Sequence, residues 1–318
     1  MNRPEPPHAI VLCGAQRFDP TLGRAVRALG LDGPVALVTA GFQEREAEDQ
    51  DIRAELGGTV ENLRLHARAD EAFAADAELR AAHRERQGAL RHKQDFYRIR
   101  LEHALEAQHV VSQRRAPAAI LAEEHEASLA EIRQLDAYHL GQCSRIHRAF
   151  ETAVQPFERP AIARHRDELA RILAASSLLV LAGGHVATLL NRLRLFGVAE
   201  LCPGKPVAGF SGGAMVLCER VVLFHDSPPQ GPGAAEVLDH GLGLCPGYVA
   251  LPQPEMRLRL DDAERVSVMA RRFAPARVLA LPSGAAVTLE QGRATRVEGA
   301  LLLTGDGTSV PFGPKGGA

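Results

Sequence analysis

Gly209, Ser211 and Gly213 stand at alternate positions in Pro206-Val207-Ala208-Gly209-Phe210-Ser211-Gly212-Gly213-Ala214-Met215. The frame Gly-x-Ser-x-Gly suits a sharp strand-to-helix turn, because small neighbours let the chain bend tightly and leave the serine hydroxyl exposed at a sheet edge. A hydroxyl held there can attack an acyl carbon. The Gly212 N–H, helped by the positive end of the following helix, then points where an oxyanion would form. The same residues also suit a glycine-rich turn whose serine merely caps the helix. What stands on either side of the turn decides between the two.

Val207 to Phe210 reads as a buried strand, and Gly212 opens a helical pattern through Met215, Val216 and Leu217. Ala9 to Cys13 is a second such strand, ending at Gly14, followed by helical spacing from Thr21 to Leu29. Pro34 to Ala40 is another, closed by Gly41. Leu178 to Ala182 runs into Gly183-Gly184-His185, and Val186 to Phe196 follows as a helix. Strand, helix and strand at these spacings predict an α/β fold on a parallel sheet. From Val221 onward short strands alternate with turns. Arg277 to Phe312 predicts antiparallel hairpins at a sheet edge, and Gly313 to Ala318 predicts a disordered end.

Residues 70–155 differ in kind, being rich in Ala, Glu, Arg, Gln and His and interrupted mainly at Arg114-Arg115-Ala116-Pro117. Leu90, Tyr97, Leu101, Ala104, Ala107 and Val111 recur at helical steps before the break; Leu129, Ile132, Leu140, Cys143, Ile146, Phe150 and Val154 do so after it. The spacing predicts a long helical hairpin inserted between the second and third strands. It divides the chain into a first α/β part (1–69), the insert (70–155) and a second α/β part (156–318). His83, His92, His103, His109, His125, His139 and His147 all fall in the insert. Glu106-x-x-His109 and Asp136-x-x-His139 are steps of the kind bundle metal sites use. Most of the other histidines fall on the polar side of the stripes, so no metal and no cofactor is expected. A solvated face, or an arm that makes a homodimer or partner-protein contact, accounts for the charge.

A chain of 318 residues with a formal charge of -2 can bury a sizeable core and shows no basic excess that would call for nucleic acid. The five cysteines are scattered and never form C-x-x-C, so neither a disulfide framework nor a zinc site is suggested. The first residues carry no apolar signal core and no run reaches membrane-spanning length. The expectation is a cytoplasmic protein that does not engage membranes.

Three blocks in order carry a resemblance: Ala182-Gly183-Gly184-His185-x3-Leu189-Leu190-x2-Leu193, Gly209-Phe210-Ser211-Gly212-Gly213-Ala214, and Gly241-Leu242-Gly243-Leu244-Cys245-Pro246-Gly247. Together they resemble the dipeptidase E and cyanophycinase family of serine peptidases. The resemblance covers about residues 8–60 and 170–312 and leaves out the hairpin. It implies a flavodoxin-like parallel sheet, similar to the class I glutamine amidotransferases, with the nucleophile at an elbow after a central strand. It also implies oxyanion-hole N–H groups from Gly184 and Gly212, substrate contact at Gly183, and a catalytic acid at Asp226. His185 takes the position of the family's asparagine.

The departures concern the base. The family's catalytic histidine follows the Gly-Leu-Gly-Leu-x-Pro-Gly segment, and here that position falls on Gln253, which cannot take a proton from serine. The following arginines, Arg257 and Arg259, keep their spacing and are candidate substrate anchors. His185 is the candidate replacement base, oriented by Asp226 or Glu255, with His225 and His240 as others. Two functions therefore stand. One is a serine hydrolase that cleaves a small peptide or amide through an acyl-enzyme on Ser211. The other is a catalytically impaired pseudopeptidase, binding a small ligand or acting as a scaffold through its hairpin. An amidotransferase is disfavoured because such enzymes carry cysteine at the elbow.

Overall fold

The computed structural model describes residues 6–224 and 233–314. Strands β1 (Ala9–Cys13) and β2 (Val35–Val38) are apolar runs separated by helix α1 (Leu22–Arg27). Helix α2 (Gln50–Leu56) leads into a strand of three residues, β3 (Val60–Asn62). This third strand precedes the helical insertion, which therefore joins it to β4 (Leu178–Leu181). A strand that short, with only Val60 buried, carries no periodicity that sequence reading can detect.

The insertion opens with α3 (Leu65–Ala75), then the two long helices α4 (Ala77–Ser112) and α5 (Ala118–Val154), broken at the expected Arg114–Pro117 stretch. Helix α6 (Pro160–Ala175) returns the chain to β4, and α7 (Val186–Leu195) leads to β5 (Val207–Phe210). Helix α8 (Gly212–Leu217) leaves from the end of β5. Beyond it lie β6 (Arg220–Leu223), β7 (Glu236–His240), β8 (Tyr248–Pro252), the one-turn α9 (Pro254–Arg257), and α10 (Ala263–Phe273). Five strands finish the chain: β9 (Arg277–Leu281), β10 (Ala286–Glu290), β11 (Arg293–Glu298), β12 (Leu301–Leu303) and β13 (Ser309–Pro311).

The main sheet runs β11-β10-β1-β5-β4-β2-β3, with parallel pairing from β1 through β3 and antiparallel pairing at the β10–β11 edge. This is a mostly parallel α/β sheet with helices on its faces, as the strand and helix spacing predicts. The tail departs from the expected single edge. β10 and β11 do extend the main sheet, but β9 joins a second sheet, β13-β12-β9-β8, and pairs in parallel with β8. Arg277 to Leu281 has the continuous apolar character of a buried strand, which does not distinguish parallel from antiparallel neighbours. Of the predicted disordered end, Lys315–Ala318 lie outside the described residues.

The hairpin is docked along the α/β body rather than projecting from it. Asp136 of α5 and Arg272 of α10 form a buried pair, with Nη2 2.6 Å from Oδ1 and side chains only 2–3% exposed. Tyr97 of α4 donates its hydroxyl to Asp136 at 2.7 Å and accepts from Arg272 and from the Val237 N–H. His147 and Arg194 both bind Asp239, and Gln94 and Arg98 bind Glu236. These polar residues pair across the junction, although Gln94 Oε1 and His147 Nδ1 keep no hydrogen-bond partner among the described residues, while His92, His103 and most other charged groups of the hairpin stay exposed. The two metal-like steps are committed the same way. His139 stacks on Tyr97 with its Nε2 3.2 Å from the Leu238 carbonyl, and His109 faces Glu264. Among the described residues no group of three or more His, Cys, Asp and Glu could hold a metal ion. No helix there is long and apolar enough to cross a membrane.

Candidate active site

Ser211 sits at the C-terminal end of the central strand β5, where open α/β sheets bind ligands. Its backbone has φ 52° and ψ -123°, a region few L-residues enter, and its side chain is half-buried. Such a conformation costs of order 1–3 kcal/mol and persists only where the surroundings over-determine it. Here the Ser211 N–H donates to the Cys13 carbonyl at the end of β1 (3.1 Å), while its own carbonyl accepts from Ala214 and Met215. Glycine is obligatory beside it. A Cβ at Gly213 would lie 2.0 Å from the Leu181 carbonyl oxygen, and one at Gly209 would lie 2.7 Å from the Gly213 carbonyl carbon.

The double-glycine loop after β4 is packed directly against the serine. A Cβ on Gly183 would come 2.8 Å from Ser211 Cβ and 3.1 Å from its Oγ. Gly184 has φ +94°, and its carbonyl lies 3.3 Å from where a Gly212 Cβ would be. Gly212 and Gly213, in the first turn of α8, have N–H groups with no partner in the preceding turn. Gly183, Gly184, Ser211 and Gly212 are therefore brought together.

The loop after β2 locks this arrangement from the other side. The Gly41 carbonyl accepts the His185 N–H at 2.7 Å, and a Cβ at Gly41 would lie 2.2 Å from the Gly183 oxygen. Gln43 has φ 58° and ψ -125°, nearly the Ser211 conformation, and donates from Nε2 to Thr188 Oγ1 at 3.2 Å. Sequence reading passed over Gln43 and Thr188. A positive φ at glutamine has no local sequence signal, and Thr188 reads as an ordinary first-turn residue.

His185 is exposed and is the N-cap of α7: its Nδ1 lies 3.1 Å from the Thr188 N–H and 2.9 Å from Thr188 Oγ1. Gln253, half-buried at φ 57° and ψ 47°, donates its N–H to the Leu281 carbonyl at 3.0 Å. It lies at the same end of the fold as Ser211. Gly14, next to the Cys13 that accepts from Ser211, packs so closely on the Leu281-Pro282 turn that a Cβ there would meet the Pro282 oxygen at 1.9 Å. Glu255 binds Ser283 through N–H and hydroxyl at 3.2 and 3.1 Å rather than orienting a histidine.

His240 is not brought to the site; it pairs across β6–β7 with Arg220, just past the far end of α8 from Ser211. Asp226 and His225 lie outside the described residues. Among the described residues, no side chain hydrogen-bonds the Ser211 hydroxyl. Burial lowers the affinity of the half-buried Arg257 guanidinium for its proton, and no acidic partner faces it among the described residues. Arg259 is paired with Asp262.

No thiol competes as nucleophile. All five cysteines are buried and free, and burial pushes Cys13 up to about 12. A cavity of about 550 Å³ between α4 and α10, lined by Leu105, Leu258, Met269 and Leu303 among others, contains none of the elbow residues.

No curated protein sequence matches the chain. Among solved structures, a peptidase from an acI-B1 Actinobacterium is 12% identical, covering 98% of this chain and 99% of its own, with a TM-score of 0.45. A putative peptidase E protein from Listeria monocytogenes EGD-e is 10% identical, covering 93% and 99%, with a TM-score of 0.41. Residues 141–297, which hold the double-glycine loop, the elbow and the Gln253 segment, match the model of Peptidase family S51. Over that stretch, just under half of its length, the chain is similar to Peptidase family S51.

Proposed function

We propose that this protein is a serine peptidase that cleaves a small peptide or amide through an acyl-enzyme on Ser211. The observation that carries the reading is the Ser211 backbone, held strained between β1, the double-glycine loop and α8. Ser211 Oγ attacks the acyl carbon, its proton passing through water to the departing amine; the N–H groups of Gly212 and Gly184 receive the developing oxyanion; Gly183 leaves room for the substrate above the serine. Arg257, half-buried and with no carboxylate facing it among the described residues, anchors an acidic group of the substrate. Asp226, from its place in the sequence, supplies the acid.

His185 enters this mechanism as a donor rather than as the base. Its Nδ1 faces the Thr188 N–H, so that nitrogen must carry a lone pair, and the neutral ring then bears its proton on Nε2. With glutamine at 253 and His185 in this tautomer, proton removal from Ser211 is weak. Turnover rests largely on the oxyanion hole and binding, worth roughly 10³–10⁴-fold over water.

That no side chain among the described residues hydrogen-bonds the Ser211 hydroxyl favours a second reading, a small-ligand-binding protein that retains the fold without turnover. A fluorophosphonate probe separates the two. Covalent labelling of the wild type and none of Ser211→Ala supports the peptidase; an unlabelled, folded wild type refutes it.

A further inference from the structure

We propose that Gln43 and Thr188 are positioning residues that hold the His185 ring so that Nε2–H is presented to the substrate as a hydrogen-bond donor. The inference rests on the Ser211 reading and extends it to the group that binds beside the scissile bond. It assigns that group as an oxygen acceptor, a peptide carbonyl or a carboxylate.

The polarity of the chain of contacts follows from its hydrogens. Gln43 Nε2 donates to Thr188 Oγ1 (3.2 Å), and the hydroxyl has one proton of its own, which goes to His185 Nδ1 (2.9 Å). The Thr188 N–H also points at Nδ1 (3.1 Å). Two donors converging on one ring nitrogen leave it no proton, so the only ring N–H is Nε2, at the other end of an exposed imidazole. The backbone of the same residue is fixed independently by its N–H to the Gly41 carbonyl. Ring and main chain of His185 are thus both held by the segment after β2.

A plain helix cap would not need this. Serine, threonine, aspartate or asparagine caps a helix unaided, whereas here a non-glycine residue, Gln43, is held at φ 58° and ψ -125° to bring its amide to Thr188. Strain of this kind gathers at ligand sites, and of the adjoining residues Gly183 borders Ser211 and Gly184 borders Gly212. Asparagine is the capping side chain that offers the same pair of functions, an acceptor for the cap and an N–H donor beyond it. Aspartate offers the cap alone.

The test combines spectroscopy with labelling by a dipeptidyl diphenylphosphonate, which reacts with an activated serine and carries backbone carbonyl acceptors. At pH 8, ¹⁵N–¹H long-range correlation should show the His185 ring protonated at Nε2; a ring protonated at Nδ1 overturns the proposal whatever the activity. His185→Asp should keep the melting temperature and raise KI about 3- to 10-fold with the inactivation rate constant unchanged, the loss of one hydrogen bond. His185→Asn should restore it. Gln43→Ala and Thr188→Val should raise KI in the same way, while Thr188→Ser should not. Equal KI values across the set overturn the proposal and leave the Ser211 reading intact. A wild type that the reagent does not label sinks the Ser211 reading, and the ring tautomer then decides this one.

Discussion

Replacing Gly183 by alanine tests how closely the double-glycine loop governs Ser211. Gly183 does not occupy the left-handed region, so alanine meets no backbone obstacle there. The only penalty is contact: the new methyl would sit 2.8 Å from Ser211 Cβ and 3.1 Å from Oγ, with the Phe210 carbonyl at 3.4 Å. Ordinary carbon separations are about 3.5–4.0 Å, so the pair must separate by about 1 Å. Ser211 cannot yield freely, being tied through its N–H to Cys13, so the hydroxyl or the loop moves off line. A misplacement of about 1 Å at a reacting group costs roughly 10²-fold in rate. The expected result for Gly183→Ala is therefore a fall of about 10²-fold in the second-order rate constant for fluorophosphonate labelling, with far-UV circular dichroism unchanged. Labelling within about 3-fold of the wild type in a folded variant would refute the geometric argument.

Gln253→His, at a left-handed position histidine tolerates better than most residues, should raise the labelling rate by roughly 10²-fold or more if the missing base limits reactivity; no change would place residue 253 outside the mechanism. Asp136→Ala leaves Arg272 buried and uncompensated and should cost about 3–5 kcal/mol in urea unfolding, whereas Asp136→Leu with Arg272→Met should recover most of it; a cost under about 1 kcal/mol would argue against a buried pair. Burial and the Arg86 charge hold His83 down to about 4, below the unfolded value near 6.5. The unfolded chain binds the proton first as pH falls. Stability should therefore be full above about pH 6.5 and decline towards pH 4, by up to about 3 kcal/mol, measured as urea midpoints; His83→Gln should flatten that decline.

Much of the elbow was legible because its constraints are local. Gly209, Ser211 and Gly213 announce a tight strand-to-helix turn, and the apolar runs before Gly14, Gly41 and Gly183 announce parallel strands. The hairpin's two helices were legible from their stripes, but its docking was not. Asp136 and Arg272 are far apart in sequence, and a charged residue on a helix reads as solvated until its partner is known. His185 illustrates the limit most sharply. Its place beside the double-glycine loop could be read, but its role depends on which ring nitrogen meets the Thr188 N–H, and that is a matter of three-dimensional aim. Gln43 gave no warning at all, because left-handed backbone at glutamine is imposed by its neighbours.

The position of β5 bears on how much of the protein can be dissected away. The stretch that matches Peptidase family S51 begins at residue 141, inside α5, yet β5 pairs on one side with β1, which precedes it by more than half the length of the chain. A truncated chain starting at 141 would keep the serine and its glycines but lose the Cys13 carbonyl that fixes the elbow, and would leave a bare apolar edge along β5. Fragments of that kind should aggregate rather than report on chemistry. The Ser211 elbow depends on strands far apart in the polypeptide closing on each other.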